Sequence, residues 1–384
     1  MHFQCLEWGR CFVRIEKSKF SRNLLGLSIG LSPVYLWMSG LPQISDMLFF
    51  ILGIFCLIAN RISVEKLNAS APVIIVLMYY VIVNLLSAIF LEATHKFLVI
   101  FYILFTLLVV PVASAMSEEN ILKGLETGFV LGFFILLTQL ALGIDKYPGY
   151  RYSLGFNNPN QLGYFALCGF SFFLLRSIFS EMTLRRVLIL TGFFMFVILS
   201  FSKGAIVSLL VAFLLFLFAS KKMGGLSLSI FLIALSTLAI YLAPDLGDQV
   251  FNRIVNIGGQ SDDSLEARGY LMFFQYPEAF VFGQGGASYL DRGDSHEIHS
   301  TYANIFVSYG AVGLIGFLYV VGKASIARKG FIVIVPMLLY GLTHNIIRDE
   351  FFWLITTLLF VSVYLSRREK SIRRLTLKNS ENDT

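Results

Sequence analysis

Residues 187–220 read VLILTGFFMFVILSFSKGAIVSLLVAFLLFLFAS, and this stretch decides the fold. Its 34 residues hold a single charge, Lys203. As one α-helix it would be about 50 Å long, which exceeds the roughly 30 Å hydrocarbon core of a bilayer. Its flanks are basic on both sides, at Arg176, Arg185, Arg186, Lys221 and Lys222. Because positive charge favours the cytoplasmic side, both flanks should lie there, which requires two crossings and a break at residues 200–204.

The composition extends this prediction to the whole chain. Of the 384 residues, 57% are hydrophobic and 14% are charged, whereas soluble domains carry about 25% charged residues. These values exclude a disordered chain and a soluble nucleic-acid-binding protein, so we expect no nucleic-acid partner. The four cysteines show no CxxC pair, which argues against a disulfide framework or a structural zinc site.

A membrane-spanning helix needs about 20 apolar residues. Such runs predict an all-α polytopic membrane protein with about 12 transmembrane helices, at residues 24–41, 44–59, 71–91, 97–115, 122–142, 160–179, 185–201, 203–220, 225–243, 301–321, 331–347 and 350–365. The predicted organisation is a cytoplasmic segment (1–23), nine spans (24–243), a large helical cap loop (244–300), three spans (301–365) and a basic cytoplasmic tail (366–384). With a cytoplasmic amino terminus, 22 of the 30 Lys and Arg residues fall on cytoplasmic segments. This bias places both termini in the cytoplasm and the cap outside.

Several cations are predicted at the outer ends of the spans. Lys203 begins a span and is followed by Gly204, and the free N–H groups of a helix start favour an anion; a lysine that snorkels to the interface is the alternative. Arg151 precedes a polar cluster that includes Asn157 and Asn160, which predicts substrate contacts, although capping of the next helix explains part of this pattern.

The cap carries two further candidates, Arg253 and Arg268. Arg268 lies on a predicted amphipathic helix and either binds an anion or pairs with Glu266 or Asp263. For Arg253, solvated surface is the alternative to substrate binding.

Histidine is the predicted proton carrier, because a neutral imidazole accepts a proton from a hydroxyl near pH 7. His296 and His299 lie just before the tenth span, and His344 lies at the outer end of the eleventh. The first two are spaced i, i+3 at a loop-to-helix junction, whereas the zinc-protease motif needs i, i+4 on a helix with a Glu between. We therefore predict no metal and no cofactor.

Five motifs occur in a defined order: GFNNPNQLG (155–163), SFSKGA (200–205), SLEARGYL (264–271), GQG (283–285) and HSTYANIFVSYGAVGLIGF (299–317). This series resembles the O-antigen ligase and polysaccharide polymerase superfamily of bacterial membrane proteins over about residues 150–320. The resemblance implies a fold similar to C-type glycosyltransferases in the bacterial inner membrane, with a periplasmic active face and metal-independent transfer. The implied substrate is an undecaprenyl-diphosphate-linked oligosaccharide, and the implied partners are membrane lipid and a chain-length regulator.

The resemblance also implies residue roles. Lys203 stands where the family has an arginine, and it keeps the charge but lacks the bidentate fork. Arg268 matches the family's cap arginine, and His299 matches its histidine before a span. In the implied mechanism, Arg268, Lys203 and Arg151 hold the diphosphate, and His299 deprotonates the acceptor hydroxyl for attack with inversion.

Three functions remain open from the sequence. A polymerase adds the growing chain to a new lipid-linked repeat, and we favour it. A ligase transfers the same donor to lipid A core or protein. A flippase or exporter of lipid-linked oligosaccharide also has about twelve spans, but it is expected to show related halves and charges buried in mid-membrane.

Overall fold

A computed structural model describes residues 3–37, 41–59, 62–90, 95–147, 151–220, 280–287 and 298–365. Every regular element within these ranges is helical, and none of them contains a strand. The predicted all-α class is therefore confirmed for the described residues. The predicted ninth span (225–243), most of the cap loop and the basic tail lie outside them.

The helices follow the hydrophobic runs closely. They are α1 (Phe3–Gly30), α2 (Ile44–Ala59), α3 (Val64–Ala69), α4 (Ala71–Phe90), α5 (Lys96–Leu107), α6 (Val109–Ala115), α7 (Glu118–Ala141), α8 (Pro159–Phe179), α9 (Leu184–Ser200), α10 (Lys203–Ala219), α11 (Thr301–Ile326), α12 (Phe331–Tyr340) and α13 (Glu350–Leu365). Among the described residues, five helical segments are long and apolar enough to cross a membrane, namely α4, α5 with α6, α7, α8 and α11 with the short turn that follows it. These helices are compatible with a multi-pass membrane protein.

The break predicted at residues 200–204 is present. α9 ends at Ser200, Phe201 adopts a left-handed conformation with φ 48°, and α10 begins at Lys203. The carboxyl end of α9 and the amino end of α10 therefore lie together.

Two predicted spans differ from the observed helices. α1 begins at Phe3 and ends at Gly30, whereas the apolar run predicted a helix over 24–41. The residue before a proline disfavours helical geometry, and Pro33 accounts for the early end. α12 ends at Tyr340 rather than near residue 347 and has 10 residues. The residues that follow Tyr340 form a turn instead, in which the carbonyl group of Gly341 accepts a hydrogen bond from the N–H of Thr301 (2.8 Å).

Glycines allow α1 and α7 to approach closely. Gly124, Gly128 and Gly132 repeat every four residues along one face of α7. A Cβ atom on Gly128 would lie 2.7 Å from Cβ of Ile29 and 2.9 Å from the carbonyl oxygen of Gly26. Small residues with this spacing let helix backbones pack tightly in membranes. The pair α1–α7 is thus fixed by backbone proximity.

The segment Phe280–Ala287 packs against a break in α11. Gly310 has φ 66° and interrupts the helix. The freed N–H of Ala311 donates to the carbonyl of Phe280 (2.7 Å), and the N–H of Gly285 donates to the carbonyl of Ser308 (2.8 Å). Lys96, which is fully buried, donates to the carbonyl of Gln284 (2.9 Å). These bonds tie this part of the predicted cap loop to α5 and α11.

The ion pairs lie at one end of the bundle. Glu126 pairs with Arg176 (3.3 Å) and Arg186 (3.7 Å), and Glu118 pairs with Arg328. These residues belong to the carboxyl end of α8, the amino ends of α7 and α9, and the turn after α11. At the opposite end of the bundle lie the predicted site residues that the structure describes, among them Arg151, Lys203 and His344.

Candidate functional site

Five helix ends meet at this opposite end. The guanidinium Nε of Arg151 donates to the carbonyl of Ser200 at the end of α9 (3.2 Å). The Tyr340 hydroxyl at the end of α12 donates to the carbonyl of Asn160 at the start of α8 (2.9 Å). The Thr301 side chain at the start of α11 donates to the carbonyl of His344 (2.8 Å). Hydrogen bonds therefore link the turns after α9 and α12 to the starts of α8 and α11.

The start of α10 completes this cluster. A Cβ atom on Gly204 would lie 3.6 Å from Nδ1 of His344 and would collide with the side chain of Thr343. A side chain at position 204 would therefore force the Thr343 side chain to move, and glycine lets the turn after α12 contact the first turn of α10 as it stands. Lys203 is the residue before it, so its position is adjacent to that of His344.

The first turn of α10 holds polar groups that no described residue binds. Ser202 occupies the N-cap position, but its side chain makes no capping hydrogen bond. Ser202 is 1% exposed, and its buried hydroxyl has no hydrogen-bond partner in the part of the chain that the structure describes. Within the described ranges, the N–H groups of Gly204 and Ala205 also have no acceptor. A helix start of this kind, with a lysine beside it, is suited to bind an anion.

Arg151 is held beside this helix start. One guanidinium nitrogen donates to Oδ1 of Asn160 (2.7 Å), and Nε donates to the carbonyl of Ser200. Asn158 provides the N-cap of α8 and accepts from the N–H of Asn160 (2.8 Å). Asn157 donates instead to the carbonyl of Trp37 (2.8 Å), in the connection between α1 and α2. Of the polar cluster, Asn160 contacts Arg151 and Asn157 points elsewhere.

His344 is part of an aromatic stack. Its ring lies on that of Tyr340, with centroids 4.4 Å apart and planes 11° apart. Tyr340 in turn stacks on Tyr164 of α8, at 4.9 Å. The Thr343 hydroxyl lies 2.8 Å from Nδ1 of His344. Stacking and this contact fix the orientation of the imidazole.

His299 lies at the edge of the same cluster. It is exposed and two residues before Thr301, whose backbone and side chain bind the turn at residues 341–346. The structure thus brings together Arg151, Asn160, Lys203, His344 and the segment that carries His299. The other predicted site residues, Arg253, Arg268 and His296, lie outside the described residues.

Sequence reasoning missed the residues that support His344. Tyr164 and Tyr340 looked like ordinary residues of apolar spans, and only their contacts distinguish them. Asn345 was also missed, although it follows His344 directly. Its side-chain Nδ2 is buried and has no hydrogen-bond partner in the described part of the chain. The sequence Thr343-His344-Asn345 at a span end was the available signal.

A small cavity of about 40 Å³ lies beside Arg348, four residues after His344. Its lining includes Arg348, Asn304 and Tyr102. This volume holds one or two water molecules. Arg348 follows the turn that carries His344, so the polar cluster extends around the start of α11.

Asp349 makes the stability of this end of the bundle depend on pH. Its carboxylate accepts from the N–H of Phe352 (2.7 Å) and from the Tyr164 hydroxyl (3.3 Å). Burial raises the pKa of Asp349 from 3.8 to about 6. Because the unfolded chain then binds fewer protons than the folded chain between these values, stability falls as the pH rises through this window.

We therefore expect Asp349→Asn to be more stable than the wild-type protein at about pH 7.5, with the difference vanishing near pH 4. Asparagine keeps an oxygen that can accept both hydrogen bonds, so loss of the charge is the main change. Thermal unfolding of both proteins in the same detergent, followed across this pH range, measures the effect. A variant that is equally or less stable than wild type at the higher pH contradicts the expectation.

Within the described ranges, no group of three or more His, Cys, Asp or Glu side chains is arranged to hold a metal ion. Comparison of the chain with protein-family models finds no match, and a search of curated proteins finds none either.

Proposed function

We propose that the protein is a polymerase of lipid-linked surface polysaccharide, which is an O-antigen, a capsule or an exopolysaccharide. It transfers the growing glycan from undecaprenyl diphosphate to a sugar hydroxyl of the next lipid-linked repeat, on the periplasmic face of the bacterial inner membrane. One observation carries the proposal: Lys203, Arg151 and the histidine-bearing turns converge on a helix start where the N–H groups of Gly204 and Ala205 have no acceptor among the described residues.

The chemistry of this cluster fits a diphosphate. The N–H groups of Gly204 and Ala205, the Ser202 hydroxyl and the Lys203 ammonium group supply donors and positive charge at one place. Such groups act strongly on phosphate oxygens in a site shielded from water. Arg151 adds a guanidinium group, although part of it is already bound to Asn160 and Ser200.

The same groups would stabilise the leaving group. As the bond between the anomeric carbon and the diphosphate oxygen breaks, negative charge grows on that oxygen, and fixed cations lower the barrier. Diphosphate is a good leaving group, so a strong general acid is not needed. The attacking hydroxyl must lose its proton, and a histidine of the turns beside the α10 start is the base.

The cap residues complete the proposal. Arg268 and Arg253 would add positive charge from the side of the loop, and His296 and Asn160 would contact the glycan. These roles follow from the resemblance and from the sequence pattern. The protein would work with membrane lipid around it and with a chain-length regulator as a further partner.

Deletion of the gene in its bacterium tests the function. We expect the mutant to display single repeat units on its surface lipid in place of long chains, because ligation continues without polymerisation. Gel analysis of extracted surface polysaccharide, with complementation by the wild-type gene, measures this. A ligase mutant would show no repeat units on the surface lipid and full chains on the carrier, and a flippase mutant would hold unextended repeats on the cytoplasmic side.

A further inference from the structure

We propose that His344 accepts the proton of the attacking hydroxyl, in the role that the family resemblance gives to His299. The inference rests on the proposed transferase function and concerns the same site. It follows from the positions of the two histidines relative to the start of α10 and from the contacts that orient each imidazole ring.

A base must be held in a fixed orientation to accept a proton efficiently. The His344 ring stacks on Tyr340 and lies 2.8 Å from the Thr343 hydroxyl through Nδ1. Tyr340 is itself fixed by its hydrogen bond to Asn160 and by stacking on Tyr164. This arrangement, a histidine oriented by a second side chain, is typical of catalytic bases.

His299 lacks such support. Its side chain is exposed, and no hydrogen bond or ring contact joins it to any other residue in the part of the chain that the structure describes. The neighbouring Ser300 is fully buried and caps α11, so the ordered contacts of this segment belong to the helix start. Among the described residues, His299 therefore has no orienting partner.

His344 is also the closer of the two to the proposed diphosphate site. Its Nδ1 lies 3.6 Å from the Cβ position of Gly204, in the first turn of α10. In the donor, the anomeric carbon is bonded directly to a diphosphate oxygen. A diphosphate bound to that turn and to Lys203 therefore places this carbon next to the imidazole. The acceptor hydroxyl attacks the same carbon from the face opposite the diphosphate, so in the proposed complex the imidazole extends past this carbon and takes the proton on that face.

The turn around His344 contains a further sign of a polar ligand. The buried Nδ2 of Asn345 has no hydrogen-bond partner among the described residues, while Oδ1 accepts from the N–H of Ile347 (3.2 Å). Buried donors are nearly always bonded in folded proteins, so a donor left over beside His344 indicates that a polar group completes it. A sugar hydroxyl or a water molecule that bridges to the sugar supplies such a group.

The step balances without a co-reactant. The acceptor O–H proton passes to the imidazole while the oxygen forms a bond to the anomeric carbon, on the face opposite the diphosphate. The bond from that carbon to the diphosphate oxygen breaks, and its electron pair leaves with the diphosphate, which Lys203 and the α10 start hold. The imidazolium then loses its proton to water.

The test compares His344→Gln, His344→Phe and His299→Gln in purified protein. The substrate is the lipid-linked single repeat extracted from the deletion strain, and the readout is the rate of chain extension. Glutamine keeps a contact to Thr343, and phenylalanine keeps the stack on Tyr340. Because losing a base costs about 10²–10⁴ in rate, we expect both His344 variants to lose at least 10²-fold, and His299→Gln to stay within about tenfold.

A pH profile separates a base from a structural group. We expect the rate of wild type and of His299→Gln to fall on the acid side as a histidine is protonated, and the residual rate of the His344 variants to lack this fall. Extension by either His344 variant within about tenfold of wild type overturns the proposal, as does loss of the acid-side fall in His299→Gln. If neither His344 variant folds, the pH profile of His299→Gln decides whether His299 is the base. Wild-type protein that extends nothing removes the transferase function and this assignment with it.

Discussion

Replacing Lys203 by alanine is expected to lower the rate of chain extension about 10²–10³-fold, the loss typical of removing one group that stabilises developing negative charge. Lys203 stands at the start of α10 beside N–H groups that have no acceptor in the described ranges. Its ammonium group therefore adds to the positive end of the helix, where the diphosphate is proposed to bind. Chain extension by purified protein, with repeats from the deletion strain, measures the rate.

Two further variants make this result specific. Lys203→Arg keeps the charge and supplies a guanidinium fork, so we expect it to retain activity within about tenfold. Lys146→Ala is the matched control, because Lys146 is an exposed lysine at the same end of the bundle that binds the carbonyl of Tyr35. We expect it to behave as wild type. Equal rates for Lys203→Ala and Lys203→Arg would remove Lys203 from the site.

Replacing Gly128 by leucine is expected to destabilise the protein by about 3 kcal/mol. A side chain there would lie 2.9 Å from the carbonyl oxygen of Gly26 even at its first carbon, so the backbones of α1 and α7 must separate. Flexible side chains can move aside, but a backbone carbonyl cannot do so without shifting its helix. Thermal unfolding in detergent measures the loss.

Gly322→Leu is the matched control for this variant. Gly322 is also a helical glycine, and a Cβ atom on it would meet no atom within 4 Å. We expect its unfolding temperature to stay near that of wild type, since leucine is also the better helix former. If both variants unfold alike, close packing of α1 on α7 does not stabilise the bundle.

The helices were largely predictable because apolar runs of membrane length are a strong local signal. The break before Lys203 followed from the length and flanking charge of residues 187–220, and α9 and α10 confirm it. The end of α12 was not predictable in this way. Residues 341–347 read GLTHNII and mix apolar with polar side chains, so their composition does not mark the end of the helix, and their bonds to Thr301 come from a distant part of the chain.

The site shows the same limit. Arg151, Lys203 and His344 were identified singly, as charged or polar residues at span ends, and the structure brings them together. The stack of His344 on Tyr340 and Tyr164 has no pattern in the sequence, because Tyr164 and His344 are far apart along the chain. Ranking the two histidines required these contacts, while the resemblance pointed to His299.

The most direct test of the account reconstitutes the purified protein in liposomes with lipid-linked repeat units extracted from the deletion strain. Gel separation of the lipid-linked products follows the reaction. We expect a ladder of chains that lengthen by one repeat at a time, with one undecaprenyl diphosphate released for each new bond. Repeats that cross the bilayer without lengthening, or that remain single on the side where they were added, would contradict a polymerase.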